Sequence, residues 1–105
     1  MDSINDEKLN EAINSRKTTL IWFSAEWCGP CKILKPTIEK VSNELAESYN
    51  FVKADVGSAE ETTKRFNIRN IPTCVLTRDG EEISRFSGVK NEIQIKDFLS
   101  EHSSN

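Results

Sequence analysis

The four residues Leu20-Ile21-Trp22-Phe23 form the longest unbroken apolar run in the chain, and they constrain its architecture more than any other stretch. A strand with one wet face alternates apolar and polar residues, because successive side chains point to opposite sides. The segment from Thr19 to Ala25 does not alternate, so it is expected to be a central strand covered on both faces. It is also far shorter than the roughly 20 apolar residues that span a bilayer. The covers must therefore come from the chain itself. Its 105 residues suffice for one domain, expected over 1–105. A domain of this size buries roughly two thirds of the surface its unfolded form exposes.

Helical periodicity supplies those covers. Asn5 is placed to cap a first helix, with Asp6 and Glu7 in its first turn, Leu9, Ala12 and Ile13 as its apolar stripe, and Arg16 and Lys17 closing it. From Pro30 to about Ser48, Leu34, Ile38, Val41 and Leu45 recur at helical spacing, and Pro36 inside that helix predicts a kink. Ser58-Ala59-Glu60-Glu61 fits a capping box for a short helix to about Phe66, ended by a left-handed Asn67. Asn91 and Gln94 cap a last helix, whose inward face is Ile95, Phe98 and Leu99 and whose polar end frays after Glu101.

Further strands are expected at Phe51 to Val56, Thr73 to Thr77 and Ile83 to Ser87, with Ser3-Ile4 as a short strand stub. Asp79-Gly80 between the last two is a hairpin signal, so those two strands are antiparallel. The strand from Phe51 to Val56 reads as buried, yet carries Lys53 and Asp55 two residues apart on one face. The pattern implies an α/β domain with a central mixed sheet and helices on both sides.

Just past the central strand comes Trp27-Cys28-Gly29-Pro30-Cys31-Lys32. Two cysteines at this spacing can close a small disulfide or form half of a metal site. Pro30 suits the first turn of a helix, and a helix starting there directs its positive end at Cys28, which stabilises a thiolate. Cys28 is therefore the candidate nucleophile. Zinc needs four ligands, and Cys74 and His102 are the only further soft candidates, so no metal is expected. Cys74 is expected to be an inert buried thiol, and His102 is given no role. Trp27, a large ring beside a nucleophile, suits partner docking, whereas packing alone accounts for Trp22.

Lys and Arg total 14 against 17 Asp and Glu, a net charge of −3. With the charges scattered, neither nucleic acid nor an anionic membrane is an expected partner. The first residues show no basic region followed by an apolar stretch, so a cytoplasmic location is expected. Thiols there are kept reduced, which favours a catalytic cysteine pair over a structural staple.

Four anchors in this order resemble the thioredoxin family over essentially the whole chain: Ala25-Glu26-Trp27-Cys28-Gly29-Pro30-Cys31-Lys32, Pro36, Ile71-Pro72-Thr73 and Gly88. The resemblance implies the thioredoxin fold, a mixed five-stranded sheet with a short first strand and four helices. It implies a protein-disulfide reductase in which Cys28, exposed, attacks a substrate disulfide and Cys31, buried behind it, resolves the mixed disulfide. The cysteine pair would need no cofactor. A thioredoxin reductase would supply electrons, proteins containing disulfides would be the substrates, and the chain would act as a monomer. Trp27, Gly29, Pro30, Ile71, Pro72, Gly88 and Val89 would form an apolar docking surface, with Pro72 after a cis bond against the disulfide.

One position departs from the pattern. The family commonly carries a buried aspartate six residues before the first cysteine, where this chain has Trp22. Lys53 matches the lysine that faces that acid, and Asp55 matches a polar or acidic position. Lys53 is then expected to turn to Asp55 or to water, and both are candidates in the proton route of Cys31. Two alternatives stand beside the reductase: an oxidase or isomerase with the same chemistry, and a binding module or complex subunit that docks partners without redox turnover.

Overall fold

The computed structural model describes residues 1–103. Eight elements follow one another: α1 (Asp6–Ile13), β1 (Thr19–Ser24), α2 (Gly29–Leu45), β2 (Asn50–Asp55), α3 (Glu60–Arg65), β3 (Thr73–Arg78), β4 (Glu81–Ser87) and α4 (Glu92–Ser103). The apolar run lies where it was expected. All six residues of β1 are buried, and β1 is an inner strand of a mixed sheet ordered β2-β1-β3-β4, parallel to β2 and antiparallel to β3.

Alternation then divides the core into two layers. Leu20 and Trp22 pack with Leu34, Ile38 and Val41 of α2 and with Ile95 and Leu99 of α4. Ile21 and Phe23 point the other way, to Leu9 and Ile13 of α1 and to Phe66 just after α3. Helix α2 continues unbroken through Pro36, whose ring nitrogen has no hydrogen to donate within the helix.

Several local signals form as expected. The Asn5 side chain accepts from the Lys8 amide at 2.9 Å. Asn91 and Gln94 exchange reciprocal side-chain to backbone hydrogen bonds of 2.9 and 2.8 Å. Asn67 is left-handed, with φ 53°, and the β3–β4 hairpin turns on Asp79 and Gly80, with φ 52° and 84°. Positive φ at both central residues matches the twist of the flanking strands.

Other expectations are corrected by partners distant in sequence. The sheet has four strands among the described residues rather than five, because the N-terminal stub is one parallel bridge between Ser3 and Lys53. Asn5 already caps α1, which leaves no length for a ladder. Strand β2 is an edge strand and only Ala54 in it is buried, so Lys53 and Asp55 do not sit in a strand covered on both faces. Helix α1 ends at Ile13, before Arg16 and Lys17. Lys17 instead donates to the Ala46 carbonyl at 2.9 Å, at the C-terminus of α2, where a cation is favoured.

Helix α3 starts without the Ser58–Glu61 box. Its open amides are met by Asp6 of α1, which accepts from Glu61 N at 3.3 Å, Thr62 N at 3.0 Å and Thr62 Oγ1 at 2.6 Å. The Thr62 hydroxyl foremost, with these amides, holds the Asp6 carboxyl below its ordinary range. Helix α4 extends past Glu101 to Ser103, and the last two residues of the expected frayed end lie outside the described residues.

Candidate active site

Helix α2 begins four residues after β1, and Cys28 is its N-cap. The Cys28 backbone is extended there, at φ −92° and ψ 111°, with Pro30 in the first turn. Cys28 Sγ accepts from the Cys31 backbone N–H at 3.2 Å. An open amide of the helix start and the helix dipole thus act on the same sulfur, the arrangement that stabilises a thiolate. A disulfide joins Cys28 to Cys31, with Cα atoms 5.3 Å apart.

In this oxidised form Cys28 is 5% exposed and Cys31 2%, so the expected contrast of an exposed and a buried sulfur is narrow. The bond turns both sulfurs toward each other. Position in the helix separates the two cysteines more clearly: Cys28 caps it, whereas Cys31 lies within it.

The expected docking residues do not share one degree of exposure. Trp27 is 78% exposed. Gly29 and Pro30 are exposed, Ile71 and Gly88 half-buried, and Pro72 buried. The Ile71–Pro72 peptide is cis, and the Gly88 amide donates to the Pro72 carbonyl at 2.9 Å, tying the loop before β3 to the end of β4. Trp27 and Ile71 line a cleft of about 310 Å³ with Val56, Thr63, Ile68, Arg69 and Asn70. The last five were not among the expected docking residues. Ile68, Arg69 and Asn70 precede Ile71 in the same loop, whereas Val56 follows β2 and Thr63 lies in α3, and no local sequence signal places those two beside Trp27.

A second cleft, of about 350 Å³, is lined by Cys31 and Trp22, by Ser24 and Ala25, and by the charged Glu26, Lys32, Lys35 and Lys53. Lys53 Nζ lies 4.9 Å from the centroid of the Trp22 ring, a cation over an aromatic face. The two residues are register partners across β1 and β2. Trp22 Nε1 is buried and has no hydrogen-bond partner among the described residues. Asp55 accepts from the Gly57 amide at 2.7 Å. Among the described residues, no hydrogen bond or ion pair joins Lys53 to Asp55.

Cys74 is fully buried on β3, and burial pushes its thiol far above the ordinary range. His102 lies near the end of α4, its ring 5.0 Å from that of Phe98. Among the described residues no three His, Cys, Asp or Glu side chains converge as a metal site would require, and no helix is long and apolar enough to cross a membrane.

A two-residue spacer that brings both sulfurs to one helix start, directly after the inner strand of a mixed sheet, defines a thiol–disulfide oxidoreductase. Comparison with known proteins narrows the class. Residues 1–101 match the family model described as Thioredoxin. Thioredoxin C-2 of Corynebacterium nephridii is 35% identical over 92 residues, covering 88% of this chain and 85% of that protein. The thioredoxin of Chlamydia trachomatis is 34% identical over 99 residues, covering 94% and 95%. The crystal structure of Malassezia sympodialis thioredoxin superimposes with a TM-score of 0.86 at 28% identity, covering 99% of this chain and 89% of that one.

The chain belongs to the thioredoxin family. It is a protein-disulfide reductase that works by dithiol–disulfide exchange through the Cys28–Cys31 pair. Thioredoxins use such a redox-active disulfide without a cofactor, and membership implies a thioredoxin reductase and disulfide-containing proteins as the general classes of partner.

Proposed function

We propose that Cys28 attacks the substrate and Cys31 resolves the intermediate. The observation that carries this order is the N-cap position of Cys28, whose sulfur accepts from the Cys31 amide at 3.2 Å. In the reduced protein the Cys28 thiolate attacks one sulfur of a substrate disulfide; a Cys28–substrate bond forms, the substrate S–S bond breaks, and a substrate thiolate leaves. Cys31 then gives its proton to water and attacks Cys28 Sγ. The Cys28–Cys31 disulfide closes, the second substrate thiolate leaves, and two electrons have passed to the substrate.

Trp27, Gly29, Pro30, Ile71, Pro72 and Gly88 form the docking face for the substrate, with Trp27 as its exposed anchor. Lys53 acts on the second step, because it lines the same cleft as Cys31 and its positive charge favours the thiolate. Asp55 contributes through its charge, two residues along the same face of β2. Residues 1–105 act as one monomeric domain in the cytoplasm, with no metal or organic cofactor, re-reduced by a thioredoxin reductase.

Single-cysteine variants test the order of attack. With insulin as the disulfide substrate, Cys31→Ser is expected to accumulate a mixed disulfide through Cys28, and Cys28→Ser to form none. Trapping through Cys31 in Cys28→Ser, at a rate comparable to that of Cys31→Ser, contradicts the assignment.

A further inference from the structure

A cluster of polar side chains lies beside the docking loop and serves neither the core nor the sulfur chemistry. Thr73, buried at the start of β3, donates its hydroxyl to the Asn70 carbonyl at 2.8 Å. Its Oγ1 also lies 3.1 Å from Asn70 Oδ1 and 2.9 Å from Ser87 Oγ. Ser87, at the end of β4, donates to Asn70 Oδ1 at 3.2 Å. Two hydroxyl hydrogens are thus shared among the Asn70 carbonyl, Asn70 Oδ1 and the hydroxyl oxygens themselves.

The consequence falls on the Asn70 amide. A side-chain amide has one acceptor oxygen and two N–H donors. The oxygen is turned toward Ser87 and Thr73, while Nδ2 has no partner among the described residues. Asn70 is exposed and lines the 310 Å³ cleft with Trp27 and Ile71. A donor oriented by its own amide oxygen, on the rim of a cleft whose other polar lining is Thr63 and Arg69, fits an acceptor on whatever occupies that cleft.

We propose that Asn70 is a specificity-determining residue for protein substrates, its Nδ2 donating to a carbonyl or carboxylate oxygen of the substrate segment docked over Trp27, and that Thr73 and Ser87 are the positioning residues that orient it. This rests on the docking face proposed above. It predicts selectivity between substrates rather than a general change in rate. A small disulfide reaches Cys28 without filling the cleft, whereas a protein segment passes Asn70. One oriented hydrogen bond changes specificity by about threefold to tenfold.

The test compares kcat/KM for insulin with the second-order rate for the small neutral disulfide bis(2-hydroxyethyl) disulfide, which carries neither carbonyl nor carboxylate. Asn70→Asp keeps the acceptor oxygen and removes the donors, and Ser87→Ala removes one tether. In both, the ratio of insulin to small-disulfide reactivity is expected to fall, by about threefold to tenfold in Asn70→Asp and less in Ser87→Ala, through a raised KM. Ser87→Thr, which keeps the hydroxyl, is expected to restore the ratio. An unchanged ratio in Asn70→Asp, or an equal loss on both substrates, overturns the proposal. Trp27→Ala separates the two levels of the argument. If it lowers the insulin ratio while Asn70→Asp does not, only the Asn70 assignment fails; if neither lowers it, the docking face fails too.

Discussion

At position 22 an indole stands where the family pattern carries a carboxylate, and the neighbouring cation acts under different electrostatics. Burying an acid costs several kcal/mol of effective desolvation unless it is compensated; the Trp22 ring avoids that cost and packs fully into the core. Lys53 lies over the ring, lining the cleft that Cys31 also lines. Glu26 supplies a negative charge to the same cleft, and Lys32 and Lys35 two further positive ones. The role proposed for Lys53 rests on this excess of positive charge, which favours the Cys31 thiolate once the disulfide is reduced. Lys53→Met is expected to slow resolution of the mixed disulfide by about threefold to tenfold near neutral pH, with Lys53→Arg retaining most of the rate. The deficit should shrink as pH rises, since the thiolate then forms without assistance. Stopped-flow resolution of a preformed Cys28 mixed disulfide, followed against pH, measures this. An identical profile in Lys53→Met means that the cation has no part in the step.

Between elements, charge fastens α4 to α2. Glu92 takes Lys40 with one oxygen and Lys96 with the other, both at 2.8 Å, and Lys96 also reaches Glu44. Lys40 first, then Lys96, lowers the Glu92 carboxyl to about 2. A carboxyl lowered in the folded state adds stability above its ordinary value, and that stability is lost as pH falls through the lowered one. The contribution from Glu92 is therefore lost between about 4.5 and about 2. Glu92→Gln should flatten that part of the stability profile, and high salt should weaken the wild-type contribution because these groups are exposed to solvent. Urea midpoints measured across acid pH, with and without salt, check this; an unchanged acid slope in Glu92→Gln would show that the clamp is not coupled to folding. The same scale shows what the sequence could reveal. Asn5, the Asn91–Gln94 pair and Asp79-Gly80 were legible because each signal closes within four residues. The cap of α3 was not, since its acceptor, Asp6, lies 56 residues from Thr62. Nor was the edge position of β2, because alternation describes the faces of a strand and not its neighbours in the sheet. The cysteine pair was legible because spacing, Pro30 and the preceding strand act together. Asn70 and Ser87 carry no motif, and only folding brings them into one cluster.

Over the whole molecule, the two core layers meet at the inner strand β1, and the redox centre sits where that strand hands over to α2. The core and the site therefore share the same helix. Ile38, fully buried in α2, tests the core without touching a sulfur: Ile38→Ala is expected to cost about 2–5 kcal/mol in urea unfolding. A loss under 1 kcal/mol would mean that α2 is not anchored through that layer. The central claim, that the pair works as a reductant, is tested most directly by the equilibrium of Cys28 and Cys31 with a glutathione buffer, read by labelling free thiols. For a two-electron couple each tenfold change in the equilibrium constant is about 30 mV, so the assay resolves reductant from oxidant. The account predicts a potential more negative than that of the glutathione couple. A potential well above it would contradict the reductase and make the same cysteine pair an oxidant.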